Sequence, residues 1–300
     1  MLKVAYDKTF NYAVPKGHRF PMEKYELVPE QLLYEGTLEE ENFFSPEPVC
    51  KEILLLTHDL SYINKLDKLD LSPKEVRRMG LPLSRALIER EYRITQGTID
   101  CALHALKFGI AMNSSGGTHH AYADRAEGFC LINDIAVAAN FLLQQKIVSN
   151  ILIIDLDVHQ GNGTAKIFEK EPRVFTLSVH GENNYPLHKE LSDLDIGLKD
   201  NTNDESYLNL IRKLIPDIIE KCKPEFIFYL SGVDILDTDK LGKISVSIEG
   251  CKERDLLVVE NCHKRNIPTC ISMGGGYSPQ IKDIVEAHCN TFRIVQDIYF

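Results

Sequence analysis

No stretch of this 300-residue chain approaches the roughly 18 uninterrupted apolar residues that a membrane helix needs, so no span is expected. The opening segment, MLKVAYDKTFNYAV, has no basic stretch followed by an apolar run of about 7–15 residues, so no secretory signal is expected there. Positive charge is in deficit: 34 Lys and Arg stand against 44 Asp and Glu, a formal charge of −10, and no dense basic stripe offsets it. Such a chain repels phosphate backbones, which argues against nucleic acid as a partner. The eight cysteines (Cys50, Cys101, Cys130, Cys222, Cys251, Cys262, Cys270 and Cys289) form no CxxC and no paired spacing. A reduced cytoplasmic enzyme with structural thiols is therefore expected, not a disulfide scaffold. Repeats, low-complexity tracts and Ser/Gly/Pro-rich linkers are missing too, so residues 1–300 are expected to form a single domain. With 44% apolar and 26% charged residues, neither a disordered nor a collagen-like chain is expected.

What is present is an alternation of strand-length apolar runs and longer helical patterns. Strands are expected at Lys3–Tyr6, Glu52–Thr57, Ile110–Met112, Ile151–Asp155, Val174–Val179, Phe226–Leu230 and Thr269–Met273. Several are unbroken apolar runs, as in parallel strands covered on both faces. Ser84–Phe108 has helical spacing of Leu87, Ile88, Tyr92, Ile99, Leu103 and Leu106, with Gly109 as its stop. Asn133 can cap a helix running to about Gln145, and Asp204–Cys222 forms a further apolar stripe that Pro216 could kink. Strand then helix, repeated, predicts an α/β three-layer sandwich around a mostly parallel sheet. Ligands of such sheets bind beyond the carboxyl ends of the strands. Four expected strands end in polar or glycine-rich text: NSSGGTHH, DLDVHQGNG, SGVD and GGGYSP. Those ends should converge.

Within DLDVHQGNG, Asp155, Asp157 and His159 alternate with Leu156 and Val158, so on extended chain the two carboxylates and the imidazole would share a side. Burying that set is costly without a cation or hydrogen-bond partners. One Asp and one His from here, with a carboxylate from elsewhere, would make a three-ligand zinc site with an open position. Asp234 can supply the third ligand, although on its own it could equally be a helix N-cap. His119 and His120 stand in tandem after a Gly-Gly pair, which favours catalysis over a packing role. Tyr277 follows Gly274-Gly275-Gly276, either as a hydroxyl donor or as a packed ring in a tight turn.

The blocks GGTHHAYADRAEGFCLIND, IIDLDVHQGNG, LSVHGENNYP, LSGVDILDTDKLGKISVS and GGGY, in this order, resemble the zinc-dependent histone deacetylase and acetylpolyamine amidohydrolase superfamily, whose fold is arginase-like. DLDVHQGNG and DILDTDKLGKISVS are most similar to the class IV deacetylases. The resemblance implies Asp157, His159 and Asp234 as ligands of one Zn2+ per chain, and Asp155 as the partner that orients His119. It implies His120 as general base and acid, with Asn162 behind it where many relatives have an acid, and Tyr277 as the carbonyl-polarising hydroxyl. Phe129, Tyr185 and Leu241 would line a narrow tunnel with Gly128 and Gly275. A structural K+ would take ligands from Asp155, Asp157, His159, Ser178 and Val179. The expected substrates are an acyl-lysine in a protein or peptide, or a small acylated amine such as a polyamine. An N-terminal loop carrying a substrate-gripping Asp has no match. A binuclear manganese ureohydrolase on the same fold would need a carboxylate two residues after the metal-binding His, where Gly161 stands. A silent acyl-binding protein is the remaining alternative.

Overall fold

The unbroken apolar runs become buried strands in a computed structural model that describes residues 1–300. In chain order the strands are β1 (Val4–Ala5), β2 (Phe43–Phe44), β3 (Ile110–Asn113), β4 (Ile151–Asp155), β5 (Val174–Gly181), β6 (Leu194–Leu198), β7 (Phe226–Leu230) and β8 (Thr269–Ser272). They form one all-parallel sheet in the order β2-β1-β3-β8-β7-β4-β5-β6. Every residue of the central strands β3, β8, β7 and β4 is buried, as a sheet covered on both faces requires.

Ten helices complete the chain: α1 (Lys24–Tyr34), α2 (Lys51–Leu54), α3 (Leu60–Asp67), α4 (Pro73–Met79), α5 (Arg85–Phe108), α6 (Asp134–Gln144), α7 (Asn162–Phe168), α8 (Asp204–Cys222), α9 (Ile248–Lys264) and α10 (Ile281–Tyr299). Helices α5, α6 and α7 pack in sequence as one layer, and α8, α9, α10 and α1 as the other. A core of 78 buried apolar residues runs between them. The start signals act locally. Ser84 Oγ accepts from Leu87 N at 3.1 Å to open α5, and Asn133 Oδ1 accepts from Ala136 N at 3.0 Å to open α6. Gly109 ends α5 at φ 89°.

Three expectations need correction. The expected strand Glu52–Thr57 is instead helix α2 and the turn after it. Leu54 is fully buried but Leu55 is 38% exposed, so this run lies against the core on one side only and gains nothing from a central sheet position. Lys3–Tyr6 shortens to β1, and β8 stops at Ser272. Strands β2 and β6 were not expected from the sequence. They are the two sheet edges, one only two residues long and the other the half-exposed LDIGL, so neither carries an apolar run.

Candidate functional site

The four strand ends with unusual text belong to β3, β8, β7 and β4, which are consecutive neighbours in the sheet. The register therefore delivers NSSGGTHH, GGGYSP, SGVD and DLDVHQGNG to one place.

Strand β4 stops at Asp155, so the side chains that follow converge by bending, not by the alternation of extended chain. Asp155 Oδ1 accepts from Asp157 N at 3.1 Å, and Asp157 Oδ1 accepts from His159 N at 3.0 Å. Each carboxylate thus turns the chain two residues on and fixes the next side chain. Asp234 caps no helix, because α9 begins only after Ser247. Its Oδ1 accepts from Val158 N at 2.9 Å, which ties β7's exit to β4's.

Asp157, His159 and Asp234 are all buried, and one ligand atom from each lies within 4.8 Å of the others. His159 Nδ1 is 3.1 Å from Asp157 Oδ1 and 3.0 Å from Asp234 Oδ2. Burial opposes charge on His159, but the two carboxylates outweigh it and hold its pKa up at about 10. Burial and the Asp157 charge push Asp234 up to about 7. Two buried carboxylates that resist being charged together fit a cation. The donor set, two carboxylates and one imidazole with a side left open, fits a catalytic zinc position. Gly275 makes the cradle possible. Its N–H donates to Asp157 Oδ2 at 2.9 Å, and a Cβ there would stand 2.7 Å from that oxygen and closer still to Asp234 Oδ2. Gly275→Ala is therefore expected to displace both carboxylates and abolish tight metal uptake. Metal analysis after dialysis checks this, and retention of a full equivalent would contradict it.

The tandem histidines differ in their backing. His119 Nδ1 is 2.7 Å from Asp155 Oδ2. Burial would lower its pKa, yet Asp155 and Asp157 raise it to about 9. His120 Nδ1 is 2.6 Å from Asn162 Oδ1. Asn162 Nδ2 donates to the Tyr122 hydroxyl at 3.0 Å and to Glu127 Oε1 at 3.2 Å, which leaves Oδ1 to accept. His120 therefore carries its proton on Nδ1 and keeps Nε2 free. Burial, together with the charges of His119 and His159, drives its pKa well below the usual value.

A cavity of about 410 Å³ opens here, lined by His120, His159 and Tyr277 and by the expected tunnel residues Phe129, Tyr185, Leu241 and Gly128. Gly275 lies deeper, with Gly274 and the triad. At Gly128 (φ 54°) a Cβ would come within 2.6 Å of His120 Cδ2, so wall and imidazole are in direct contact. Tyr185 packs edge-on to His120 with ring centroids 5.0 Å apart, and its hydroxyl donates to Glu127 at 2.7 Å. The Tyr277 ring lies 6.2 Å from that of His159. Burial, Asp234 and Asp157 keep the Tyr277 hydroxyl protonated far above the ordinary range. Ser178 pairs with Asp155 in the β4–β5 register, and Val179 follows it, both buried.

Three participants escaped the sequence reading. Glu127 anchors both Asn162 and Tyr185; it is the second of two acids, after Asp124, in the residues that follow the histidine pair. Asp239 accepts from the N–H groups of Leu241, Gly242 and Tyr277 and so holds the rim and the tyrosine turn. Lys24, buried in α1, donates to Gly274 O at 2.8 Å; burial lowers its pKa to about 8. Nothing local in the sequence marks it.

Comparison with known proteins gives relatives and structural neighbours along nearly the whole chain. The histone deacetylase domain model matches residues 18–292. An uncharacterized protein of Picosynechococcus sp. is 39% identical over 99% of both chains. Histone deacetylase 2 of Arabidopsis thaliana is 30% identical over 91% of this chain and 73% of its own. Among solved structures, an HDAC homolog from Aquifex aeolicus superposes with a TM-score of 0.84 at 26% identity, covering 99% of this chain and 84% of that one. An HDAC homolog complexed with SAHA gives 0.85 at the same identity and the same coverage.

Proposed function

The chain belongs to the histone deacetylase family, and from that membership we propose that it is a zinc-dependent amidohydrolase that removes an acyl group from the side-chain amine of lysine. The observation that carries this reading is the buried Asp157–His159–Asp234 triad, whose His159 lines one cavity together with His120, with its free Nε2, and Tyr277.

Bound by the triad, zinc would supply Lewis-acid chemistry, activating water near neutral pH and polarising the amide carbonyl. Phe129, Tyr185 and Leu241 would hold the acyl-amine stem and exclude bulk water. His120 Nε2 would take the proton of the attacking water as the new C–O bond forms. The Tyr277 hydroxyl would donate to the oxygen on which negative charge develops. As the C–N bond breaks, the His120 proton passes to the departing amine, leaving a carboxylate and a free amine. His119, hydrogen-bonded to Asp155, would be the more readily protonated of the two histidines and orient the site from behind. The wording of the motifs favours a class IV-like enzyme, for which acyl length is the open variable. We assign a structural potassium to Asp155, Asp157, His159, Ser178 and Val179, and an acetylated polyamine is the second substrate class. An acyl series from acetyl to myristoyl, on lysine peptides and on polyamines, with and without chelator, tests the activity. Absence of chelator-sensitive release from every member would leave an acyl-binding protein.

A pH prediction follows from the amide at 162. A carboxylate behind His120 would favour its charged form, whereas Asn162 contributes no such charge. Asn162→Asp alone would face Glu127 across the present 3.2 Å hydrogen bond, so the clean variant is Asn162→Asp with Glu127→Gln. The raised His120 pKa should move the acidic limb of kcat/KM to higher pH, because the base is lost sooner as pH falls. His120→Ala should also cost more activity than His119→Ala. A stationary limb, with His119→Ala the less active of the two, would reverse the roles.

A further inference from the structure

Nine of the twelve arginines in this chain have a side-chain hydrogen bond or ion pair within the protein. The three without one, Arg19, Arg77 and Arg78, all line the mouth of the cavity over the triad. All three are exposed. No Asp or Glu is among the twelve residues lining that cavity, in a chain whose formal charge is −10.

The guanidinium groups are carried on a braced surface. Arg77 and Arg78 form the last turn of α4, and the backbone there is bolted to the tunnel wall: Gly128 N donates to Arg78 O at 3.2 Å, and Phe129 N to Met79 O at 2.7 Å. Gly80 at φ 82° lets the chain pass beside the Phe129 ring, which a Cβ would meet at 2.9 Å. The Arg19 guanidinium lies 5.3 Å from the centre of that same ring, and its neighbour His18 donates from Nε2 to Gly80 O at 2.9 Å. Two chain segments thus present three unpaired cations on one side of the mouth, next to Phe129. Cations at a helix end complement its dipole, which accounts for Arg77 and Arg78 but not for Arg19 or for the missing acids.

Building on the deacylase reading, we propose that these three arginines select acylated amines carrying a carboxylate near the outer end of the stem, and reject polycationic ones. The carboxylate can come from Asp or Glu beside an acyl-lysine in a peptide, or from the α-carboxylate of free acyl-lysine. An acylated polyamine keeps its remaining ammonium charges and is repelled at this mouth.

The test compares acetyl-lysine peptides flanked by Glu, Gln or Lys, together with free Nε-acetyl-lysine and an acetylated polyamine. For the wild-type enzyme at low ionic strength, the ratio of KM for the Lys-flanked to the Glu-flanked peptide should be about tenfold or more, and should shrink as salt is added. In Arg77→Glu with Arg78→Glu the order should invert, and Arg19→Gln should reduce the ratio. A lower KM for free acetyl-lysine than for the Glu-flanked peptide would identify the small-molecule source; the reverse would identify the peptide. Anisotropy of the fluorescein-labelled peptides reads the same order without turnover. Binding order without hydrolysis would overturn the activity and keep the arginine selection. Hydrolysis with equal KM values, or an order unchanged by charge reversal, would overturn the selection.

Discussion

Asp234→Ala is expected to leave a folded chain that no longer retains its metal and hydrolyses amides at the background rate. The carboxylate is fully buried and is one of only three protein ligands in the triad. In the metal-free chain its charge is disfavoured by burial and by Asp157, which push its pKa up to about 7. Removing it relieves that repulsion but costs two buried hydrogen bonds, from Val158 N at 2.9 Å and from His159 Nδ1 at 3.0 Å, so the metal-free melting temperature should fall by a few degrees without loss of the fold. The rise in melting temperature that zinc gives the wild type should vanish, because that rise measures binding to the folded state alone. Asp157→Ala should act the same way. A variant that melts normally, keeps one equivalent of metal and turns over substrate would remove Asp234 from the site.

Tyr277→Phe should lower kcat by about 10²–10³-fold, the usual cost of deleting one preorganised oxyanion donor. The ring is packed by Phe20, with centroids 5.6 Å apart, and by His159 at 6.2 Å, so phenylalanine keeps the wall of the cavity intact. KM and metal content should stay near wild type, since the lost interaction belongs to the transition state. The loss should not be recovered at high pH, because burial and the nearby carboxylates keep the hydroxyl protonated throughout the working range. Near-normal turnover would return Tyr277 to a packing role.

The central fold was legible because each buried parallel strand is an unbroken apolar run: Ile151–Asp155 and Phe226–Leu230 match residue for residue. The edges were not, since two half-exposed strands need no such run, and Leu54-Leu55-Leu56, an apolar run of strand-like appearance, is the end of the short helix α2 and the turn after it. At the site, motif residues near strand ends could be grouped because parallel topology brings those ends together. The asymmetry between His119 and His120, Asp155 against Asn162, was implied by the family resemblance alone, and the two hydrogen bonds now carry it. What stayed hidden was the contribution of residues distant in sequence. Glu127 reaches His120 through Asn162 and Tyr185, Lys24 arrives from α1 250 residues before its partner Gly274, and the unpaired state of Arg19, Arg77 and Arg78 exists only in three dimensions.

The most direct test is metal reconstitution. The chain is stripped with chelator, titrated with zinc, and assayed on an acetyl-lysine peptide while bound metal is counted. Activity should return linearly and break at one zinc per chain, with Asp157→Ala and Asp234→Ala failing to recover. Full activity in the stripped chain, or a requirement for two tightly held manganese ions per chain, would contradict a mononuclear zinc amidohydrolase.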